Sequence, residues 1–201
     1  GSSAIGVFSV SGTSNLGANV TTTGTQTYSG AVTLSANVTL TSSNDNFTFS
    51  STVDSDGSTR NLTLSAGSGT IGITNAIGGS AALGTLTITQ SGGVTFSSSV
   101  NSATVTLTDT SGNITFAGST TLTTLNTASQ DYNVLFTGAS NTITNAVTFS
   151  NTGSLTFGNG SGDSSTFNGG LTTTAPSQIN IGGTLQTSND AMSLGDSNTP
   201  I

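Results

Sequence analysis

Large apolar residues recur along this chain at a nearly fixed interval. From Phe8 they continue through Tyr28, Phe49, Ile73, Phe96, Phe116, Phe136, Phe157, Ile181 and Ile201, in steps of 20, 21, 24, 23, 20, 20, 21, 24 and 20 residues. Six of the nine Phe stand in this one series. A repeat of this length is a mark of solenoid architectures, in which one winding of the chain stacks on the next. The series therefore predicts an inward-facing stack with one member from each coil.

A second apolar series runs ahead of the first, through Leu40, Leu64, Ile88, Leu107, Leu125, Phe149, Leu171 and Met192. Its first four members sit in near-identical surroundings: Asn37-Val-Thr-Leu-Thr, Asn61-Leu-Thr-Leu-Ser, Thr85-Leu-Thr-Ile-Thr and Thr104-Val-Thr-Leu-Thr. Apolar and polar residues alternate with period two, which predicts short strands with one buried and one wet face. The main series lies on strands such as Phe47-Thr-Phe49, Val94-Thr-Phe96 and Ile114-Thr-Phe116. A third apolar position follows at Val32, Val53, Ile77, Val100 and Leu185, and moves to Leu122 and Ile143 in the middle turns, which suggests a longer corner there. Ser, Gly, Asn and Asp fill the stretches between, as turns require. Three strands in each coil of 20–24 residues, spaced at about 4.8 Å, predict a rod ~40–45 Å long.

The expected fold is thus all-β, a single parallel β-helix of roughly nine coils occupying residues 1–201 as one domain. A sandwich of hairpins is the competing arrangement, but it has no need of the same side-chain type at one phase over ten turns. Phe8 and Ile201 both fall in phase with the series, so regular coil is expected to reach both termini without a capping helix or charged cover. Uncapped parallel coils present unpaired backbone groups to another chain. The first residue is Gly1 and no signal-like run follows, which predicts a processed product or an excised segment.

Composition sharpens this picture. Thr (42) and Ser (34) dominate, with 27 Gly and 19 Asn, while Lys, Glu and His are absent. Such a chain lacks the usual surface residues of helices and is rich in those that suit pleated surface. Low-complexity Ser/Thr/Gly chains are often disordered, but disorder would not keep its apolar residues in register. A net charge of −7 with Arg60 as the single cation excludes a phosphate-backbone partner. Membrane insertion is not expected either, since no stretch approaches ~20 apolar residues. Without Cys there is no disulfide framework. A surface with one tryptic site suits life outside the cell.

The chemistry available is meagre. Without His or Cys the chain cannot assemble a Ser–His–Asp or Cys–His nucleophile or a soft metal site, and acid–base work falls to Asp and Tyr. No catalytic residue, cofactor or enzyme activity is expected. Asp54 and Asp56, in Asp54-Ser-Asp56-Gly57, are the only close carboxylate pair and form a weak calcium candidate, set against a plain corner turn that uses Asp and Gly for backbone reasons. Arg60 is expected to pair with a nearby Asp. Asn19, Asn37, Asn46, Asn61, Asn113 and Asn159 stand in Asn-x-Ser/Thr sequons, no more than composition alone produces. The pairs Thr39/Thr41, Thr63/Ser65, Thr87/Thr89 and Thr106/Thr108 predict two outer rows, of the kind that order water in ice-binding solenoids.

Two stretches carry a resemblance. Residues 77–97, Ile-Gly-Gly-Ser-Ala-Ala-Leu-Gly-Thr-Leu-Thr-Ile-Thr-Gln-Ser-Gly-Gly-Val-Thr-Phe-Ser, and Gly112-Asn-Ile-Thr-Phe-Ala-Gly resemble the repeats of filamentous-haemagglutinin-like exoproteins and related autotransporter passengers. These are very large bacterial surface proteins. The resemblance implies a right-handed β-helix, export, and adhesive or matrix roles. It brings no catalytic residues. The chain lacks the Asn-Pro-Asn-Gly-type motifs of that family's secretion domain and is far shorter than its typical members. The leading expectation is a structural protein at the cell surface or outside the cell, forming or extending a fibre by end-to-end association with copies of itself. An adhesin segment that binds glycans or surfaces is the alternative, and ice binding a minor one.

Overall fold

Every residue type that favours pleated structure is used here in strands, and among the residues described there is no helix. A computed structural model describes residues 5–201. All strand pairs in it are parallel, and each strand pairs with the strand one coil away, never with its neighbour in sequence. The result is a β-solenoid. One sheet has nine strands, Phe8–Val10, Gln26–Tyr28, Phe47–Phe49, Thr70–Ile73, Gly93–Phe96, Asn113–Phe116, Asn133–Phe136, Ser154–Phe157 and Gln178–Ile181. We call it the aromatic sheet.

A second nine-stranded sheet joins the other two sides of the coil. Its central strands, Leu83–Ser91, Val100–Thr110 and Thr120–Thr127, are long because they run round a corner without losing their hydrogen bonds. Two three-stranded sheets complete the sides, Ser14–Leu16 with Val32–Leu34 and Val53–Ser55 near one end, and Val147–Thr148 with Leu171–Thr173 and Met192–Leu194 near the other. The strands are short because three must fit into each coil.

Each strand buries alternate residues, so it offers two inward positions. In the aromatic sheet one inward column reads Tyr28, Phe49, Ile73, Phe96, Phe116, Phe136, Phe157, Ile181. The other reads Phe8, Gln26, Phe47, Ile71, Val94, Ile114, Val134, Leu155, Ile179. The expectation that Phe8 heads the first column is corrected: Phe8 stands opposite Gln26, and Val10 opposite Tyr28. Ile201 is likewise displaced. The Ile179 N–H donates to the Pro200 carbonyl at 3.0 Å, the bond that elsewhere precedes a register partner, so Ile201 lies towards Ile179 rather than Ile181 and is 70% exposed. The cause is coil length. The step is 18 residues from Phe8 to Gln26 and 20 through the middle coils, so equal counting crosses from one inward column to the other.

The same two-residue ambiguity governs the other sides. Leu40, Leu64, Ile88 and Leu107 share a column, but Leu125 stands opposite Val105, with Thr127 opposite Leu107. Leu171 and Met192 align with Val147, not Phe149. On the third side Val32, Val53, Ile77 and Val100 are followed by Thr120, Asn141, Ser165 and Leu185. The shift to Leu122 and Ile143 is therefore no longer corner. It is an exchange of bulk between two inward positions of one strand. One continuous apolar core extends from Leu16 to Ile179.

Candidate functional site

The column predicted from sequence is the best-defined feature of the interior. Tyr28 and Phe49 stack with ring centroids 4.9 Å apart, Phe96 and Phe116 at 4.8 Å, and Phe116 and Phe136 at 4.9 Å. These separations equal the spacing of parallel strands, so each ring simply follows its backbone. Ile73 interrupts the rings between Phe49 and Phe96. Phe157 sits farther from Phe136, at 6.1 Å, because Phe149 and Phe167 press their edges against it. Phe8 is tilted by 50° against Tyr28, as its shifted register requires. Ile181 is 41% exposed.

Polar groups enter this interior at several places, and two of them interrupt the inward columns. Gln26 is fully buried beside Tyr28: its amide donates to the carbonyls of Thr41 and Val20 and to the Thr22 hydroxyl, and it accepts the Tyr28 hydroxyl at 2.9 Å. Farther along, Thr120, Asn141 and Ser165 form a buried polar run, in which Asn141 Nδ2 donates to the Gly138 carbonyl and the Ser165 hydroxyl. Burial raises the pKa of both phenols. Tyr28 is pushed well above the ordinary tyrosine value, and Tyr132, whose hydroxyl donates to the Leu107 and Ala128 carbonyls, is pushed up to about 12.

Asparagine side chains organise the corners, a role the sequence pattern did not disclose. Asn19 Oδ1 accepts the Thr39 N–H, Asn37 Oδ1 the Asn61 N–H, and Asn61 Oδ1 the Thr85 N–H, each from the adjacent coil. Asn46 does the same for Thr70, and Asn133 for Ser154 while donating to Asn113. Four sequons, at Asn19, Asn37, Asn46 and Asn61, thus have a geometric origin: Asn precedes a strand to hold the neighbouring amide, and Thr two residues on occupies the first outward strand position. Asn159 differs, lying in a projecting turn held by Asp163 Oδ2, which accepts the Asn159 and Gly160 N–H groups.

Asp54 and Asp56 are both committed to the protein itself. Asp54 Oδ1 accepts the N–H groups of Ser80 and Ala81 in the next coil. Asp56 receives both Arg60 Nε (2.9 Å) and Arg60 Nη2 (2.7 Å) as well as the Ser58 N–H. The hydrogen bond and charge of Arg60 hold the Asp56 carboxyl below the usual carboxylate range. Among the described residues no three His, Cys, Asp or Glu side chains gather where they could hold a metal ion. Of the outer Thr rows, Thr39, Thr63, Thr87 and Thr106 are in register and give way to Asn126. The second row breaks, because a bulge after Ile88 sets Ser65 opposite Gln90.

Comparison with family models, curated proteins and solved structures finds no match. The class that the fold defines is the parallel β-solenoid repeat protein.

Proposed function

We propose that this chain is a structural, extracellular β-solenoid that forms or extends a surface fibre by end-to-end stacking of coils. One observation carries the reading. The exposed large apolar residues of the described structure lie only at its two tips: Ile5 and Val7 at one, Ile181, Met192 and Ile201 at the other. The flanks show mainly Thr, Ser, Asn and Gly, with Leu135 half-buried among them. Apolar side chains left bare at the ends of a stack are surface that a further coil would bury. The Ile179 N–H is already held by the Pro200 carbonyl, but outermost strands of a parallel sheet in general carry further N–H and C=O groups that another coil can satisfy. Because all strands run in one sense, such a contact joins unlike tips. A head-to-tail contact does not close on itself, and it grows into a filament.

The resemblance to filamentous-haemagglutinin-like exoproteins supports an exported, adhesive or matrix setting, as does a charge of −7 with a single cation. Negative-stain electron microscopy across a concentration series tests the reading. Unbranched filaments about one coil wide are expected, and Ile181→Asp together with Met192→Asp should abolish them. Dispersed rods at every concentration would defeat it.

A further inference from the structure

The outward face of the aromatic sheet carries a pattern unrelated to the tips. Its central column reads Ser9, Thr27, Thr48, Gly72, Thr95, Thr115, Leu135, Thr156 and Asn180, one residue per coil. No charged residue occurs in any of the nine strands, although the chain carries eight Asp. The joined sheet on the other sides contains Asp109, and the small sheet beside it Asp54. The aromatic face is thus the one nine-stranded surface on which two copies of an acidic molecule can meet without charge repulsion.

Two positions break its Thr row in opposite senses. At Gly72 the side chain is missing, and together with Gly93 this leaves a shallow dent walled by Thr70, Thr95, Asn113 and Thr115. A Cβ placed on Gly72 would meet nothing nearer than the Phe47 carbonyl oxygen at 4.0 Å. Leu135, three strands away in the same column, is the only large apolar side chain that points outward from it. One feature is a hole and the other a knob.

We propose that this face is a self-complementary docking surface for a second copy of the chain. In it, Leu135 of each molecule fills the Gly72 dent of the other. A two-fold axis lying in the interface along the strand direction, between Thr95 and Thr115, brings this about. It reverses the solenoid axis, so Gly72 faces Leu135, Thr95 faces Thr115 and Thr48 faces Thr156. An isologous contact of this kind requires that hole and knob be equidistant from the axis, and the column meets that condition. The two carboxylates nearest the face, Asp45 and Asp131, sit at its rim in coils that the axis does not bring opposite one another. With strands of three or four residues at about 3.3 Å each and nine strands at about 4.8 Å, the face covers roughly 500 Å² per copy. A stable interface uses about 800 Å² per partner, so the pairing is a weak, concentration-dependent dimer.

Sedimentation and cysteine trapping test this directly, since the chain has no Cys of its own. Gly72→Leu sets knob against knob, and Leu135→Ala sets hole against hole. Each should weaken self-association at least about tenfold, as expected for one packed apolar side chain. The double variant Gly72→Leu/Leu135→Ala exchanges the two features and should recover pairing, with circular-dichroism melts confirming that every variant is folded. An equimolar mixture of Thr48→Cys and Thr156→Cys should form the mixed disulfide dimer, and neither variant alone should. Cross-linking of Thr48→Cys with itself would overturn the antiparallel arrangement. A side-by-side contact that is indifferent to Gly72→Leu, or molecules that never pair, would overturn the proposal. The tip variants Ile181→Asp/Met192→Asp should leave this dimer intact, which separates it from end-to-end assembly.

Discussion

Phe116 lies at the centre of the ring column, fully buried and stacked on both faces by Phe96 and Phe136. Truncating it opens a void that a stiff stack of coils cannot close. Phe116→Ala should cost about 3–5 kcal/mol in denaturant unfolding, whereas Thr115→Ala, its outward neighbour, should stay within about 0.5 kcal/mol. The tyrosines give the molecule an alkaline limit. An unfolded tyrosine ionises near 10, but Tyr132 holds its proton to about 12. Because the folded value is the higher, the stabilising contribution is complete below pH 10 and is lost as pH rises towards 12. The loss is roughly 2–3 kcal/mol by linkage, and Tyr28 acts in the same direction. Thermal melts between pH 9 and 12 should fall steeply in the native chain and less steeply in Tyr132→Phe. At the acid end Asp56 contributes through a depressed value, and its surface position makes that contribution small.

At the level of strands and corners, coil spacing leaves no room in certain places. A Cβ on Gly138 would collide with the Gly118 carbonyl of the coil beneath, and one on Gly118 with Ser98. These contacts are with backbone, which cannot swing aside. Gly138→Ala should therefore destabilise by about 1–3 kcal/mol and lower the melting temperature, although it exposes no new surface. Element-level reading of the sequence succeeded where a bulky residue repeats, as at Phe96, Phe116 and Phe136, because packing demands one there. It failed at Phe8, Leu125 and Ile201. Positions i and i+2 of a strand both point inward, so spacing alone does not say which of two columns a residue joins once coil length departs from 20. Outward positions carry no packing constraint, so the Gly72 dent and the Leu135 knob left no periodic signal. The Asn corners were visible only as sequons, a pattern that Thr-rich strands produce for reasons of their own.

For the whole molecule, each coil rests only on its two neighbours, and stability is close to a sum of coil and interface contributions. The polar insertions at Gln26 and at Thr120, Asn141 and Ser165 make the coils non-identical and so oppose slippage by one full winding. The surface is protected as well. Arg60, the single tryptic site, has its carbonyl bound by the Gly84 N–H and its guanidinium by Asp56. Native protein should survive trypsin for hours, and cleavage after Arg60 on gels should track thermal unfolding.

The equal steps from Phe96 to Phe116 to Phe136 have one more consequence. A stretch of the chain can be removed without disturbing what lies above or below it. Excising residues 97–116 joins Phe96 directly to Ala117 and returns Phe136 to the ring it would then follow. The shortened protein should fold, lose about 4.8 Å of length and melt cooperatively. Removing 15 residues from the same place would leave every later side chain facing the wrong way. Length in this molecule is a quantity that genetic duplication or loss can adjust in whole units.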